Sequence, residues 1–221
     1  MKSKISERIF HILFRINSAL KTGFTKFWIF IWDLVDEFYH YNQTWVYKKF
    51  RSSSRFKLNN KIYPYFYHNY NFTWRAERAV EIPIIIEILK RNKGKRILEI
   101  GNVLSHYFSH KHDILDKYEK GEGVINEDIV NFYPKKKYDL IISISTLEHV
   151  GWHEAIKEPL KILNAIEHLK SYLTNKGEFV FTIPIGENPF LDNLLKENKI
   201  KFSEKYCLKK ISFDNKWKQV S

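Results

Sequence analysis

The sequence lacks the thiol chemistry on which many small domains and metal sites depend. Its 221 residues include one cysteine, Cys207. A single cysteine excludes an intrachain disulfide and a cysteine cluster for a metal ion. The hydrophobic content of 44% is enough to fill a core, which excludes wholesale disorder. We therefore expect a fold held together by its core, and we predict no metal site.

Long apolar runs are also missing. In the amino-terminal region, Arg8 and Arg15 bracket the apolar segment 9–14. The next apolar run, 27–32, ends at Asp33. A secretion signal needs an uncharged core of about 7 to 15 residues, and a membrane-spanning helix needs roughly 18 apolar residues. The sequence therefore predicts neither an export signal nor a transmembrane helix, and it favours a cytoplasmic location.

Arginine is scarce although the chain is strongly basic. Lys and Arg together number 37 against 25 Asp and Glu, a net charge of +12, and only 8 of these cations are arginine. Because arginine is the residue that binds phosphate in a bidentate manner, a lysine-dominated surplus indicates a generally basic surface. Nucleic acid is therefore a less favoured partner than a small molecule.

The positive charge is concentrated near the amino terminus. Residues 1–60 hold 11 Lys and Arg against 4 Asp and Glu, a net charge of +7. Helical periodicity predicts an amphipathic helix over 5–20 that ends near Gly23, followed by an aromatic-rich stretch over 27–41. Two interpretations of this helix stay open. It packs on protein, either its own domain or another copy in a homo-oligomer, or it lies on an anionic membrane surface. The apolar residues of the predicted helix are Ile5, Ile9, Ile12, Leu13, Ile16 and Leu20.

A connector is expected between this extension and the main domain. Pro64 and several asparagines interrupt any helical period there. Thr73 is the expected N-cap of a helix over 74–92, in which Pro83 predicts a kink or a restart. The predicted divisions are a basic helical extension over 1–60, a connector over 61–73 and a main domain over 74–221.

The main domain alternates short apolar runs with helical segments. This alternation predicts a doubly wound, mostly parallel α/β sheet with right-handed crossovers. Ligands of such sheets bind at the carboxyl ends of the strands, where the strand order reverses. The predicted strands cover 96–101, 112–118, 138–145 and 178–185, with a weaker strand at 123–126, and the predicted helices cover 154–173 and 188–197.

Several sequence motifs occur in a fixed order along this domain. They are ILEIG (97–101), Asp116, Asn126-Glu127-Asp128, YDLIISISTLEHVG (138–151) and NKGEFVFTIPIG (175–186). Together they resemble a class I S-adenosylmethionine-dependent methyltransferase over roughly residues 74–200. The most specific piece is the Ser-Thr-Leu-Glu-His-Val that follows the fourth strand. The resemblance implies a Rossmann-like sheet of the seven-stranded type and S-adenosyl-L-methionine as cofactor.

The first strand ends in Glu99 and Gly101, and Asn102 follows. A glycine here permits a tight turn and a close approach of the backbone to a nucleoside ligand. The resemblance implies that the methionine part of the cofactor lies over Gly101 and Asn102, with Glu99 near its ammonium group. The family usually has further glycines in this loop, whereas this chain has bulky residues such as Val103. Either the loop takes a wider path, or cofactor binding has been lost.

Four further positions complete the implied cofactor site. Asp116 follows the second strand, where a carboxylate can accept hydrogen bonds from both ribose hydroxyls. The resemblance places Asp128 near the adenine amino group and Ile129 against the ring. It also implies that Ser143 borders the sulfonium group. The alternative is that these acids are solvated residues at strand ends.

The acceptor side has two groups of candidates. His149, Glu148 and His106 are candidates for a general base, since histidine titrates near neutral pH, although each histidine could instead only order its loop. Arg75 and Arg78, spaced i, i+3, could share a helix face and hold a carboxylate or phosphate, or could form a surface ion-pair ladder. Trp152 either lines the acceptor pocket or belongs to the core. The catalytic candidates are His149, Glu148 and His106, and the substrate-binding candidates are Arg75, Arg78 and Trp152.

The favoured function is therefore methyl transfer to a hydroxyl or carboxylate of a small-molecule or glycan-type acceptor, in the cytoplasm or peripherally at the inner face of a membrane. One alternative is a non-catalytic binding or scaffold protein that keeps the fold with a degraded cofactor loop. Another is a nucleic-acid methyltransferase, which the scarcity of arginine disfavours. Only 205–212 and 216–221 remain to form the final hairpin, so we expect a short or truncated one.

Overall fold

The computed structural model describes residues 24–109 and 111–220. The chain divides after Ser53 into two units, Met1–Ser53 and Ser54–Ser221. In the first unit, helix α1 spans Phe24–Phe50 and includes the predicted aromatic-rich stretch. Neither proline nor glycine interrupts it, and Lys48 and Lys49 lie in its last turn, where cations complement the helix dipole. The predicted helix over 5–20 lies outside the described residues.

The second unit contains a five-stranded parallel sheet with helices on both faces. Its strand order is β5-β4-β3-β6-β7. This sheet confirms the predicted α/β class, and its strands overlap the predicted ones. The central sheet has five strands within the described residues and not seven, and its last strand begins at Leu173 and ends at Thr182, where the sequence predicted 178–185. Its strands are β3 (Ile97–Ile100), β4 (Asp113–Leu115), β5 (Val124–Ile125), β6 (Tyr138–Ile144) and β7 (Leu173–Thr182).

Strand β6 lies at the centre of the core because its residues are apolar on both faces. On one face Ile142 packs in a cluster with Ile82 and Ile85 of helix α2 (Arg78–Arg91). On the other face Ile141 belongs to the cluster that includes helices α3 (Lys161–Ser171) and α4 (Pro189–Lys196). The near-continuous hydrophobic run of β6 is typical of a parallel strand that is covered on both sides.

Two helix starts differ from the sequence predictions. Residues Tyr70–Arg75 form a 3-10 turn in which Asn71 and Phe72 have positive φ, so the α-helix begins only at Arg78. Thr73 is therefore not its N-cap, and its hydroxyl instead donates to the carbonyl of Phe66 at 2.9 Å. Helix α2 continues through Pro83 without a restart.

Helix α3 also begins later than predicted, at Lys161, because a loop precedes it. The amide of Glu158 donates to the carbonyl of Gly151 at 2.8 Å. Gly151 has φ +68, and a Cβ there would lie 2.2 Å from the carbonyl oxygen of Glu158. Only glycine fits this turn, so the chain folds back at Gly151 before the helix starts.

Two antiparallel hairpins complete the unit. The first pairs β1 (Arg55–Leu58) with β2 (Lys61–Pro64), in a region where the sequence predicted no strand. The second pairs β8 (Cys207–Lys210) with β9 (Trp217–Val220) and forms a sheet of its own. The amide of Asn59 donates to Gln219 Oε1 at 2.8 Å, and the amide of Trp217 donates to the Tyr65 hydroxyl at 2.8 Å. The final hairpin therefore packs on the first hairpin and does not extend the central sheet.

Candidate functional site

The strand order of the central sheet reverses between β3 and β6, since β4 and β5 lie on one side and β7 on the other. The loops that follow β3 and β6 at the carboxyl edge are in direct contact at one point. Gly101 has φ +84, and a Cβ there would lie only 2.2 Å from Thr146 Oγ1. Glycine is required because both the backbone conformation and the neighbouring side chain exclude any other residue. This contact fixes the cleft at which ligands of doubly wound sheets bind.

Glu99 holds the loop after β3. Its Oε1 accepts hydrogen bonds from the amides of Val103 at 3.1 Å and Leu104 at 2.8 Å. Its Oε2 lies 2.6 Å from His112 Nε2, and the residue is fully buried. The loop amides thus point inward at a protein carboxylate, which orders the loop. The contact between Glu99 and a cofactor ammonium stays a prediction.

Asp116 lies at the end of β4, as expected, and ties two turns together. Its Oδ2 accepts from the amide of Asn102 at 2.9 Å, and its Oδ1 accepts from the amides of Tyr118 at 2.8 Å and Glu119 at 2.7 Å. Asn102 is itself held, since its Nδ2 donates to Glu119 Oε1 at 2.8 Å. An ionised carboxylate offers about four acceptor positions, so Asp116 retains room for about one more hydrogen bond.

Asp128 belongs to an ion-pair network of alternating charge. Its Oδ2 lies 2.8 Å from Lys117 Nζ and 2.6 Å from Lys161 Nζ, and Glu154 Oε2 contacts the same two lysines at 2.6 and 2.8 Å. Burial raises the pKa of Asp128, but the hydrogen bonds from Lys117 and Lys161 outweigh it, so this pKa lies below its usual range. We call these four residues the lysine–carboxylate network. An adenine amino group at Asp128 would have to share a carboxylate that two lysines already hold.

A cleft of about 440 Å³ adjoins this network. Ile129, which follows Asp128, is buried in the core, and the next residue, Val130, lines the cleft. The residues that line it are Val130, Glu158, Pro159, Leu160, Lys161 and Asn164.

The end of β6 holds a buried polar cluster, which we call the Arg78 cluster. Arg78 NH1 donates to Glu81 Oε2 at 2.6 Å, and the Ser145 hydroxyl donates to Glu81 Oε1 at 2.7 Å. Glu148 completes the cluster with only 1% of its surface exposed. Ser145 adopts φ +40, an uncommon conformation for a residue with a side chain. The strand therefore ends in a constrained turn that carries charged groups in a dry environment.

Two atoms of this cluster and one atom of β6 have no hydrogen-bond partner within the described part of the chain. They are Arg78 Nε, Glu148 Oε2 and Ser143 Oγ, and each of the three residues is more than nine-tenths buried. Leaving a buried polar group unpaired costs about 1–3 kcal/mol. Unpaired groups at the carboxyl edge of a parallel sheet are what a bound polar ligand would satisfy.

The environment of Glu148 favours its neutral form. Burial raises its pKa to about 8, and the negative charge of Glu81 adds to that shift although Arg78 opposes it. Below that pH the carboxyl group can donate one hydrogen bond as well as accept, whereas above it the carboxylate can only accept. Its Oε1 lies 3.7 Å from His149 Nε2.

The two histidine candidates lie in different loops. His149 has its Nδ1 at 2.7 Å from His153 Nδ1, and burial, together with the nearby His153, lowers the pKa of His149. A neutral imidazole is the form that can accept a proton. The ring of His106 stacks on Tyr70 at 4.0 Å between ring centres, and its Nε2 lies 2.8 Å from Glu119 Oε1. The structure thus places His149 beside Glu148, whereas His106 lies in the loop that follows β3.

The two arginine candidates do not share a helix face. Arg78 is the first residue of α2, whereas exposed Arg75 lies in the preceding 3-10 turn with its guanidinium 5.1 Å from the ring centre of Phe72. The predicted i, i+3 arrangement is therefore wrong, because the chain changes direction between them. Trp152 is half-buried, with Lys157 Nζ 4.3 Å from its ring centre.

Several residues of the site were not among the sequence candidates. They are His112, Lys117 and Lys161, whose partners are distant in sequence. The i, i+3 pairing of Arg78 with Glu81, by contrast, agrees with their spacing in the sequence. Among the described residues, no group of three or more His, Cys, Asp and Glu is placed to hold a metal ion.

No protein-family model matches the sequence, and no curated protein sequence matches it. Solved structures do match. One is an S-adenosylmethionine-dependent methyltransferase from Clostridium acetobutylicum ATCC 824, with 19% identity over 45% of this chain and 47% of that chain and a TM-score of 0.33. Another is the DhpI-SAM-HEP complex, with 14% identity over 63% of this chain and 71% of that chain and a TM-score of 0.30. The chain spans about half the length of the first of these structures.

Proposed function

We propose that the protein is an S-adenosylmethionine-dependent methyltransferase that acts on a hydroxyl or carboxylate of a small-molecule or glycan-type acceptor. The observation that carries the proposal is the Ser-Thr-Leu-Glu-His segment at the strand-order reversal, where buried Glu148 and Arg78 have unpaired polar atoms. A ligand bound there would satisfy both atoms. Methyl transfer is the proposed chemistry because the order of the sequence motifs resembles that of class I methyltransferases.

The residues on the β3 and β4 side fit the cofactor. Gly101 lets the loop after β3 pack against Thr146 at the cleft, and Asp116 retains acceptor capacity for one ribose hydroxyl. Asn102 and Glu99 fix the loop between them. S-adenosylmethionine would supply an electrophilic methyl group at the sulfonium, and the protein would have to align the acceptor with it.

The residues on the β6 side suit the acceptor. Arg78 Nε can donate to an acceptor oxygen, and neutral Glu148 can donate a second hydrogen bond below a pH of about 8. His149, kept neutral by its lowered pKa, would accept the proton of an acceptor hydroxyl. The Glu81 carboxylate, held by Ser145, fixes the guanidinium of Arg78.

Titration calorimetry with S-adenosylmethionine tests the proposal. We expect binding by the wild-type chain and a loss of about 1.5–3 kcal/mol in binding free energy for Asp116→Ala, the range for a hydrogen bond to a charged group. Asp116→Asn removes the charge but keeps one acceptor oxygen for the loop amides, so it distinguishes the effect of the charge on binding from the effect of a disturbed loop. Glu122→Gln, at an exposed carboxylate nearby in the sequence, is the matched control and should bind as the wild type does.

A second candidate function is a non-catalytic binding protein with the same fold. It is favoured by one observation, that the amides of Val103 and Leu104 are turned toward Glu99 and not toward the cleft. Absence of S-adenosylmethionine binding at millimolar concentration, in a chain with cooperative unfolding, would contradict the enzyme and leave this candidate.

A further inference from the structure

Helix α1 carries the densest set of exposed large apolar side chains in the described chain. Eight lie on its 27 residues, whereas twelve are spread over the second unit. Soluble proteins rarely expose contiguous apolar patches of this kind unless something covers them. The eight residues are Trp28, Ile29, Trp32, Val35, Phe38, Tyr39, Trp45 and Phe50.

Five of these side chains form one line along the helix. At about 100° per residue they fall within a sector of about 60°, and their span of 22 positions corresponds to about 33 Å at 1.5 Å per residue. Trp32, one turn after Trp28, is 69% exposed. Buried His40 and Thr44 lie outside this sector. We call the line the aromatic stripe; its residues are Trp28, Trp32, Val35, Tyr39 and Phe50.

Positive charge lies at the carboxyl-terminal end of α1 and in the sequence that flanks it, whereas α1 as a whole has three Lys against three Asp and Glu. Exposed Lys48 and Lys49 lie in the last turn of α1, and Lys49 Nζ is 4.7 Å from the ring centre of Trp45 and 5.6 Å from that of Phe50. Over Met1–Ser53 the sequence holds 9 Lys and Arg against 4 Asp and Glu, a net charge of +5. The first unit is therefore apolar along one line and cationic as a whole.

We propose that the aromatic stripe docks on an anionic lipid surface, with α1 lying in the plane of the interface. Tryptophan and tyrosine are enriched at the membrane–water boundary, where an amphipathic ring meets both phases. Basic residues near an anionic leaflet add about 1 kcal/mol each to binding. None of the described helices is long and apolar enough to cross a bilayer.

A second copy of the chain is a less suitable occupant of the stripe. Two copies would bring together units that each carry a net charge of +5, and like charges repel. The stripe also lacks the alternating leucine and isoleucine positions by which helices interlock in coiled coils. An anionic lipid surface would bury the apolar rings and attract the positive charge.

Co-sedimentation with vesicles tests the proposal on the full chain. We expect binding to vesicles of phosphatidylcholine mixed with phosphatidylglycerol, weaker binding to vesicles of phosphatidylcholine alone, and a decrease of the former with salt. Trp32→Ser combined with Tyr39→Ser should lower the partition coefficient on mixed vesicles at least about tenfold, because two large side chains lose their burial in the interface.

Two control variants keep the test specific. Phe213→Ser removes a fully exposed aromatic from the second unit and should leave vesicle binding unchanged. Lys48→Gln with Lys49→Gln should weaken binding to mixed vesicles and leave binding to phosphatidylcholine unchanged. Unchanged far-ultraviolet circular dichroism shows that α1 is retained in its variants, and near-wild-type unfolding shows that the second unit is folded.

Three results would overturn the proposal. The wild-type chain could fail to bind mixed vesicles, or the Trp32→Ser, Tyr39→Ser variant could bind them as the wild type does. Sedimentation velocity without lipid could instead show a dimer that this variant converts to a monomer, which would assign the stripe to a second copy. None of these readouts uses S-adenosylmethionine, so they are independent of the proposed enzymatic function.

Discussion

The two sides of the carboxyl edge are built differently. On the β3 and β4 side, Glu99 and Asp116 accept hydrogen bonds from five backbone amides of their own loops. On the β6 side, Glu148 and Arg78 are buried with polar atoms that have no partner in the described chain. The first side is therefore ordered without a ligand, whereas the second side would gain hydrogen bonds from one. A substitution on the first side therefore disturbs the loop as well as any ligand contact, whereas a substitution on the second side reports more directly on the ligand.

The largest expected effect is on turnover, at the β6 side. His149→Ala should lower the methyl-transfer rate by about 10²–10⁴, the usual contribution of a general base, and leave S-adenosylmethionine affinity unchanged. Formation of S-adenosylhomocysteine with a panel of hydroxyl acceptors measures the rate. His153→Gln, the control at the neighbouring imidazole, should keep turnover and move its acid limb to higher pH, because the lowering influence of His153 on His149 is removed. Loss of turnover and cofactor affinity together would show that His149 only orders its loop.

The second-largest expected effect is on protein stability, which should depend on pH because the pKa of Glu148 is raised in the folded state. Its pKa is about 8 in the folded state against 4.5 ordinarily, so the folded state binds more protons between these values. The free energy of unfolding should therefore fall as pH rises from about 4.5 to about 8, by a loss on the order of 4 kcal/mol. Urea unfolding at a series of pH values should show this loss in the wild type and not in Glu148→Gln. Glu158→Gln, at an exposed position, should behave as the wild type, and an unchanged profile in Glu148→Gln would contradict the prediction.

A stability effect of about 3 kcal/mol is expected where the two sides meet. Gly101→Ala places a methyl group against Thr146 and forces a side chain into the positive-φ region, which combines overpacking with backbone strain. Gly94→Ala separates the two causes, because Gly94 has φ +83 and a Cβ added there would have no atom within 4 Å. We expect it to lose only about 1–2 kcal/mol in urea unfolding. Equal losses in the two variants would show that the contact with Thr146 relaxes.

The smallest effect concerns the ordered side itself. Glu99→Gln keeps an acceptor for the two loop amides and removes the charge, so we expect a loss of about 1–2 kcal/mol in unfolding free energy together with weaker S-adenosylmethionine binding. His112→Gln should have a smaller effect, since the amides remain on Glu99. If Glu99→Gln changed cofactor affinity without any change in stability, Glu99 would be a direct ligand contact, and the two sides would be more alike than their hydrogen bonds indicate.

The sheet could be predicted from sequence because each strand is a short apolar run bounded by polar residues. The β1–β2 hairpin was missed, since only Phe56, Leu58 and Tyr63 of its two strands are buried. The signal that could have found it is Asn59-Asn60, a turn pair in which both residues adopt positive φ. A pattern that covers so few buried positions is a weak indicator of a strand.

The site was predicted in position more than in detail. Asp116 and Glu148 follow their strands as expected, because strand ends are set by the apolar pattern. Their partners could not be read from spacing, since Lys161 meets Asp128, and Glu81 meets Ser145, across elements far apart in the chain. The sequence therefore located the acids but not what neutralises them.

Because the first and last hairpins pack together, the chain connectivity of the second unit can be changed by circular permutation. Asn59 meets Gln219 and Tyr65 meets Trp217, so the two ends of this unit lie in neighbouring hairpins. A circular permutant that joins residues 54 and 220 through a short linker, and opens the chain in the exposed stretch 155–158, would leave every strand of the central sheet whole.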